Sequence, residues 1–192
     1  MRYTNRLKGS VTQALVRTLL TEGGITVVPL GIEETIREVS ELPQPQYLAL
    51  NLPMSLRKLP DFFAANRERT KTWLIEVKFR TTWNEDVRDE LGRSLRDQAQ
   101  LWSPLFVILF FGDSPSVHYR DQPASWVRVA HVLLDNGELK FHFNGGLKSW
   151  SESVWTEFDR VQDIFPELNA RELWDAATLE ATLKVSKGLS QL

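Results

Sequence analysis

The chain has no cysteine and only three histidines, which limits the metal and redox chemistry that it can support. Without thiols there can be no disulfides and no thiolate-bound metals. His118, His131 and His142 are scattered and do not suggest a zinc site. The longest apolar run, residues 105–111, is too short to cross a membrane, and the N-terminus has no apolar signal-peptide core. We therefore expect a cytoplasmic protein without a membrane partner.

A strong overall charge is also missing. The 192 residues carry a net charge of −2, and the pI is about 6.0. Any nucleic-acid-binding surface must therefore be a local patch. Apolar residues make up 42% and charged residues 25%, as in a soluble globular protein, and the length fits one domain with a sizeable core.

The hydrophobic periodicity of residues 1–112 predicts helices alternating with strands. The expected elements are a helix over 9–20 with Ser10 as its N-cap, strands at 25–30, 61–66 and 72–80, a helix over 85–102 and a buried strand at 105–111. The charged stretch between the second and third strands is typical of a hairpin tip. Residues 33–53 are ambiguous, and a short helix over 33–42 followed by an extended 47–52 is one interpretation. Because a strand, a helix and a buried strand follow one another, we expect the last strand to run parallel to its neighbour.

Residues 113–192 form the second part of the chain, which we expect to pack on the same domain as the core over 1–112. Strands over 126–134 and 138–143 flank Asp135-Asn-Gly137, a strong β-hairpin signal. Apolar spacing then predicts helices over 151–165 and 171–187. The predicted fold is α/β, with a mixed central sheet, helices on both faces, and a C-terminal β-hairpin and helices.

One group of residues has the composition that phosphodiester hydrolysis requires. Glu76 and Lys78 are two apart in a predicted strand, so their side chains share a face. If the hairpin tip spans 67–70, Asp61 lies opposite Glu76 at about 5 Å between Cβ atoms, which suits two carboxylates that share one divalent cation. A lysine beside the attacking water can position it and offset developing charge. Because Glu-x-Lys alone is common on solvated strands, the interpretation depends on its context.

That context is the order of elements around two short motifs, Pro60-Asp61 and Glu76-Val77-Lys78. A helix, a strand, a hairpin that carries both motifs, a helix and a further strand resemble the αβββαβ core of the PD-(D/E)xK nuclease superfamily, which includes restriction endonucleases and Holliday-junction resolvases. The resemblance covers residues 9–112 and implies a restriction-endonuclease-like fold. It also implies that Asp61, Glu76 and the Val77 carbonyl hold Mg²⁺ or Mn²⁺, and that Lys78 positions or activates a water molecule.

Two glutamines are further candidates by the same resemblance. The first helix of resolvase-like members often carries a glutamate near the metal, and Gln13 stands at the matching position. Glu22, Glu33 or Glu34 could supply the missing carboxylate, although their spacing recommends none of them. The segment Gln98-Ala-Gln-Leu-Trp102 is similar to the Gln-x-x-x-Tyr element of RecB-like members, whose glutamine lies near the active centre.

Basic residues are enriched around these motifs, with seven between residues 57 and 80 against three acidic ones. The expected contacts to DNA phosphates are Arg67, Arg69, Lys71 and Arg80. Such contacts supply salt-dependent affinity without sequence preference. The alternative is a well-solvated hairpin tip. For most of the seven tryptophans the pattern favours core packing, whereas Trp83 is a candidate for facing a substrate.

The sequence therefore predicts a Mg²⁺- or Mn²⁺-dependent DNA endonuclease, with a homodimer or a larger nuclease complex as the expected assembly. The alternative is a non-catalytic nucleic-acid-binding or assembly subunit that keeps the nuclease fold. Gln13, in place of an acidic residue, and the weak overall charge favour that alternative. Cleavage of RNA is a third hypothesis.

Overall fold

The computed structural model describes residues 2–32, 39, 42–111, 127–170, 184–185 and 188. The helices are α1 (Arg2–Glu22), α2 (Gln44–Ala49), α3 (Met54–Arg57), α4 (Glu85–Ala99), α5 (Val161–Ile164) and α6 (Glu167–Ala170), with 3₁₀ turns at Trp150–Glu152 and Trp155–Glu157. The strands are β1 (Thr26–Pro29), β2 (Phe62–Ala65), β3 (Thr72–Arg80), β4 (Leu105–Phe111), β5 (Val127–Asp135), β6 (Glu138–Phe143), β7 (Gly146–Ser149) and β8 (Asp159–Arg160). No helix in these ranges is both long enough and apolar enough to pass through a membrane.

The described strands form one mixed sheet in the order β1 to β7, with β8 paired to β5. β1, β2 and β3 pair antiparallel, and β4 lies parallel to β3 after the crossover through α4. The pairings from β4 to β7 are antiparallel. The prediction of an α/β fold with a mixed central sheet is therefore confirmed, as are the parallel strand and the C-terminal hairpin.

The two faces of the sheet carry different helices. Alternate residues of β4 point to opposite faces, as the pleat requires. On one face Val107 packs with Leu91 and Leu95 of α4. On the other face Ile108 packs with residues of α1, among them Leu20. A side-chain cap starts α4, because the Asn84 side chain accepts a hydrogen bond from the Val87 N–H at 2.9 Å.

The β2–β3 register fixes the geometry of the site. Phe62 pairs with Ile75 and Ala65 with Thr72, and the Asn66 N–H donates to the Lys71 carbonyl at 3.1 Å. This confirms the predicted register. One further step along it sets Asp61, which precedes β2, opposite Glu76.

Two predicted elements are wrong, and a third, the first helix, has the wrong start. The first helix begins at Arg2, and Ser10 lies inside it, because residues before Gly9 continue the helical pattern. Residues 47–52 are not extended: α2 occupies much of this stretch, with a proline in its first turn, where the missing N–H costs no hydrogen bond. Residues 151–165 do not form one helix, and instead hold two 3₁₀ turns, β8 and α5.

The helix over 151–165 was predicted from apolar spacing, but in the structure these apolar residues belong to an irregular segment. Trp155 and Phe158 reach into the core on the α4 face, whereas Val161 and Phe165 reach the α1 face. A single helix could not bury both pairs on opposite faces of the sheet. The predicted helices over 33–42 and 171–187 fall largely outside the described residues, as do Glu33, Glu34 and Trp126.

Candidate metal centre

Asp61 occupies the edge of β3 at the point where β2 has not yet begun. Its backbone carbonyl accepts a hydrogen bond from the Leu30 N–H at 2.9 Å, which extends the pairing with β1. Its side-chain Oδ2 accepts from the Val77 N–H at 2.7 Å. Because the N–H and C=O of one strand residue face the same edge, the Val77 carbonyl lies on the edge that Asp61 occupies. The carboxylate thus replaces a strand as the neighbour of Val77.

The second oxygen of Asp61 is held from the α1 side. Gln13 Nε2 donates to Asp61 Oδ1 at 2.7 Å. The nitrogen end of the amide must face the carboxylate, since an ionised carboxylate only accepts hydrogen bonds. Gln13 therefore contacts the candidate metal ligand Asp61 directly.

Glu76 is held in the same way from the α4 side. Its side chain is 7% exposed, and one oxygen, Oε1, accepts a hydrogen bond from Lys78 Nζ. The other oxygen, Oε2, accepts from Gln98 Nε2 at 2.7 Å. Gln98 is itself buried, and its Nε2 lies 3.4 Å from the Leu59 carbonyl, which ties α4 to the segment before Asp61.

Both carboxylates act on the same cation, the ammonium group of Lys78. Burial by itself lowers the pKa of Lys78, but the negative charges of Glu76 and then Asp61 outweigh it, so the pKa lies above its ordinary value. The Lys78 side chain is 25% exposed, so it lies largely buried beside the two carboxylates. Asp61, Glu76, Lys78 and Gln98, all predicted from the sequence, are therefore neighbours around one point of the sheet.

The oxygen atoms at this site suit a hard divalent cation, although only two carboxylates are among them. Carboxylate and carbonyl oxygens suit Mg²⁺ and Mn²⁺, and Mg²⁺ is commonly held by one or two carboxylates with water and substrate phosphate completing its shell. Asp61, Glu76 and the Val77 carbonyl are such a set. Among the described residues no group of three or more His, Cys, Asp or Glu side chains forms a metal-binding cluster. Glu22 lies nine residues beyond Gln13, about 13 Å along the helix, and cannot take its place.

The expectation that the basic residues of 57–80 surround the carboxylates is wrong for the three at the hairpin tip, whereas Lys78 contacts Glu76. Arg67, Arg69 and Lys71 lie at the hairpin tip beyond Asn66, which is five residues from Asp61, or about 17 Å at the rise of a strand. Arg80 is on the strand of Lys78, but it pairs with Glu90 at 3.2 Å, and burial lowers the pKa of its guanidinium.

Trp83, a candidate for facing a substrate, instead packs against the core on the α4 face of the sheet. Its ring packs edge-on against Phe111, Trp150 and Phe158 at centroid distances of 5.3–6.1 Å. Trp73, Trp150 and Trp155 are buried, as predicted.

Sequence reasoning missed the support around the Pro-Asp motif. Lys58 Nζ lies 3.2 Å from Asp97 of α4, and this ion pair, with the Gln98 contact to Leu59, holds the segment that leads into Asp61. The partners are 39 residues apart, and no local pattern joins them.

No family model, curated protein or solved structure matches the chain.

Proposed function

We propose that the protein is a metal-dependent DNA nuclease of the PD-(D/E)xK type that hydrolyses phosphodiester bonds at Asp61, Glu76 and Lys78. The observation that carries the proposal is the convergence of two carboxylates on one lysine at the edge of β3, with one oxygen of each carboxylate held by a glutamine from a flanking helix. Ionisable groups with perturbed pKa values, as Lys78 has here, are enriched at functional sites.

The order of elements supports a restriction-endonuclease-like core. α1, the antiparallel β1, β2 and β3, then α4 and the parallel β4 follow the αβββαβ order, with α2 and α3 between β1 and β2. Pro60-Asp61 precedes β2, and Glu76-Val77-Lys78 lies within β3, which are the positions of the two motifs in that core.

In this proposal each residue has a distinct task. Asp61, Glu76 and the Val77 carbonyl would hold the metal, which when bound would polarise the scissile phosphate and lower the pKa of a water molecule. Lys78, charged at neutral pH, orients the attacking water through its ammonium and offsets charge on the phosphate. Gln13 and Gln98 fix the orientation of the two carboxylates by hydrogen bonds to one oxygen of each.

Cleavage of plasmid DNA in the presence of Mg²⁺ or Mn²⁺, with RNA supplied in parallel, tests the proposal. We expect metal-dependent cleavage of DNA that Asp61→Ala and Lys78→Met each reduce by a factor of about 100 or more, as for removal of a group that stabilises a transition state. Absence of metal-dependent cleavage, or full activity in both variants, would overturn it.

The chain offers a matched control for the loss of an ion pair. Lys148 Nζ contacts Glu157 Oε1 at 2.6 Å, with side chains 28% and 17% exposed, compared with 25% and 7% for Lys78 and Glu76. Lys148→Met removes a similarly placed lysine away from the site. We expect this variant to retain the cleavage rate of the wild type.

One observation favours a second function, that of a non-catalytic DNA-binding or assembly subunit. Each of the four oxygens of Asp61 and Glu76 already accepts a hydrogen bond from the protein. A pair satisfied in this way can hold the fold together without a metal. Calorimetric titration with Mn²⁺ separates the two functions, because the nuclease binds the ion and the structural subunit does not.

A further inference from the structure

Hydrogen bonds hold the backbone of the hairpin tip between β2 and β3, and basic side chains project from this tip. Asn66 is 6% exposed, and its Oδ1 accepts hydrogen bonds from the backbone N–H groups of Thr70 and Lys71 at 2.8 and 2.9 Å. Its carbonyl accepts from the Arg69 N–H at 3.0 Å. These bonds fix the turn from its inside, so the side chains on its outside project from a defined backbone.

The positive charge of this tip is not neutralised within the described part of the chain. Arg67, Arg69 and Lys71 are exposed and form no ion pair with any described residue. The acid of the tip, Glu68, instead accepts a hydrogen bond from Asn66 Nδ2 at 3.1 Å. The loop therefore presents three cations, with its one carboxylate engaged by an uncharged amide.

A continuous surface joins the tip to the carboxylate site. On the α4 side of β1, β2 and β3, the cross-strand rows between tip and site carry, besides the small Ala65, the side chains of Thr26, Val28, Phe63, Thr72 and Leu74. We name this surface the hairpin face. Thr26, Val28 and Thr72 are exposed, Phe63 and Leu74 are half-buried, and none of these side chains is charged. None of these strand side chains would repel a DNA phosphate placed next to this surface.

The hairpin face is about as long as five base pairs of B-DNA measured along the helix axis. Asp61 and Asn66 are five residues apart, about 17 Å along the strand. Phosphates follow one another at about 3.4 Å of helix axis per strand in B-DNA, so the same span covers about five base pairs.

We infer that the hairpin face is a docking surface for duplex DNA, whose backbone the tip residues Arg67 and Arg69 anchor about five base pairs along the duplex axis from the phosphate at Asp61 and Glu76. The inference rests on the proposed function for the location of the cleaved phosphate. Duplex DNA suits this surface better than a single strand, because single strands are bound on series of exposed aromatic rings and the face carries one ring, half-buried.

Equilibrium binding of a labelled DNA duplex of about 20 base pairs, longer than the face, tests the inference over a range of salt concentrations. Ca²⁺ replaces Mg²⁺ so that cleavage does not interfere. We expect the double variant R67A/R69A to reduce the slope of log K against log[salt] by about 1.8, which is about 0.9 for each phosphate that the wild-type arginines neutralise.

A second double variant controls for the change of net charge. Arg93 and Arg96 of α4 are also exposed and have no ion pair with a described residue, so R93A/R96A removes the same charge elsewhere. We expect R93A/R96A to leave the slope close to that of the wild type. Equal effects of the two double variants, or no effect of R67A/R69A, would refute the anchor.

Cleavage of shortened duplexes distinguishes this inference from the proposed function. A duplex that ends fewer than about five base pairs from the cleavage point on the anchored side should be cut more slowly, and equally by wild type and R67A/R69A. If the protein cuts DNA but the tip variant behaves as the wild type on long duplexes, the anchor is wrong and the nuclease stands. If the tip variant alters the salt slope but nothing is cut, the nuclease is wrong and the docking surface stands.

Discussion

Replacing Glu76 by glutamine probes the candidate metal centre while keeping the shape of the side chain. Both partners of the Glu76 carboxylate, Lys78 Nζ and Gln98 Nε2, are hydrogen-bond donors. The NH₂ group of a glutamine at this position must therefore face one of them, because an amide has a single acceptor oxygen. One buried donor loses its partner in either orientation.

The size of the effect follows from the burial of the pair. An unsatisfied buried donor costs about 1–3 kcal/mol, and the glutamate side chain is 7% exposed, so we expect a loss of about 2 kcal/mol in the unfolding free energy of the metal-free protein. For a chain of this length that lowers Tm by roughly 4–8 °C. A metal at one hundred times its Kd stabilises the wild type by about 2.7 kcal/mol, and Glu76→Gln should abolish that stabilisation.

Thermal unfolding with and without Mn²⁺ measures both effects, and Glu157→Gln is the control. The Glu157 carboxylate also accepts from two donors, Lys148 Nζ at 2.6 Å and the Val154 N–H at 3.1 Å. Its replacement should lower Tm in the absence of metal and leave the Mn²⁺-induced rise intact. A Glu76→Gln protein whose Tm still rises with Mn²⁺ as in the wild type would refute the assignment of Glu76 as a ligand.

Two further predictions concern packing and pH. Gly92→Ala should destabilise the protein by about 1–3 kcal/mol, because the new Cβ meets the Trp150 ring at 2.7 Å. Gly9→Ala, whose new Cβ has nothing within 4 Å, should stabilise α1 by up to about 1 kcal/mol. Chemical denaturation of the two variants measures these opposite changes in the free energy of unfolding. Burial and the adjacent His142 lower the pKa of His131 to about 4, so the unfolded chain binds a proton between pH 6.5 and 4 that the folded state does not. Stability should thus fall as pH decreases through this window, and His131→Phe should flatten the fall in urea unfolding curves.

Local patterns predicted the central hairpin well. The expected strand over 72–80 has the bounds of β3, because its alternating apolar residues continue to both ends. Placing the hairpin tip at the charged residues 67–70 predicted the register, and this register puts Asp61 opposite Glu76. A motif whose partners lie within one hairpin is therefore accessible to sequence reasoning.

Contacts between distant segments were harder to predict. The hydrogen bond of Gln13 to Asp61 joins residues 48 apart, and the resemblance supplied the position of Gln13 but not its bond. The spread of the basic residues was also misjudged, since adjacency in sequence along a hairpin becomes a separation of about 17 Å between its two ends. Residues 151–165 have the apolar spacing of a helix, but they form an irregular segment that buries side chains on both faces of the sheet.

Anomalous diffraction from crystals of the protein soaked in Mn²⁺ tests the central claim most directly. The account predicts an anomalous peak within about 2.5 Å of a carboxylate oxygen of Asp61, one of Glu76 and the Val77 carbonyl, and no such peak in Asp61→Ala crystals. Crystals that diffract well and show no peak between these residues at saturating Mn²⁺ would contradict it.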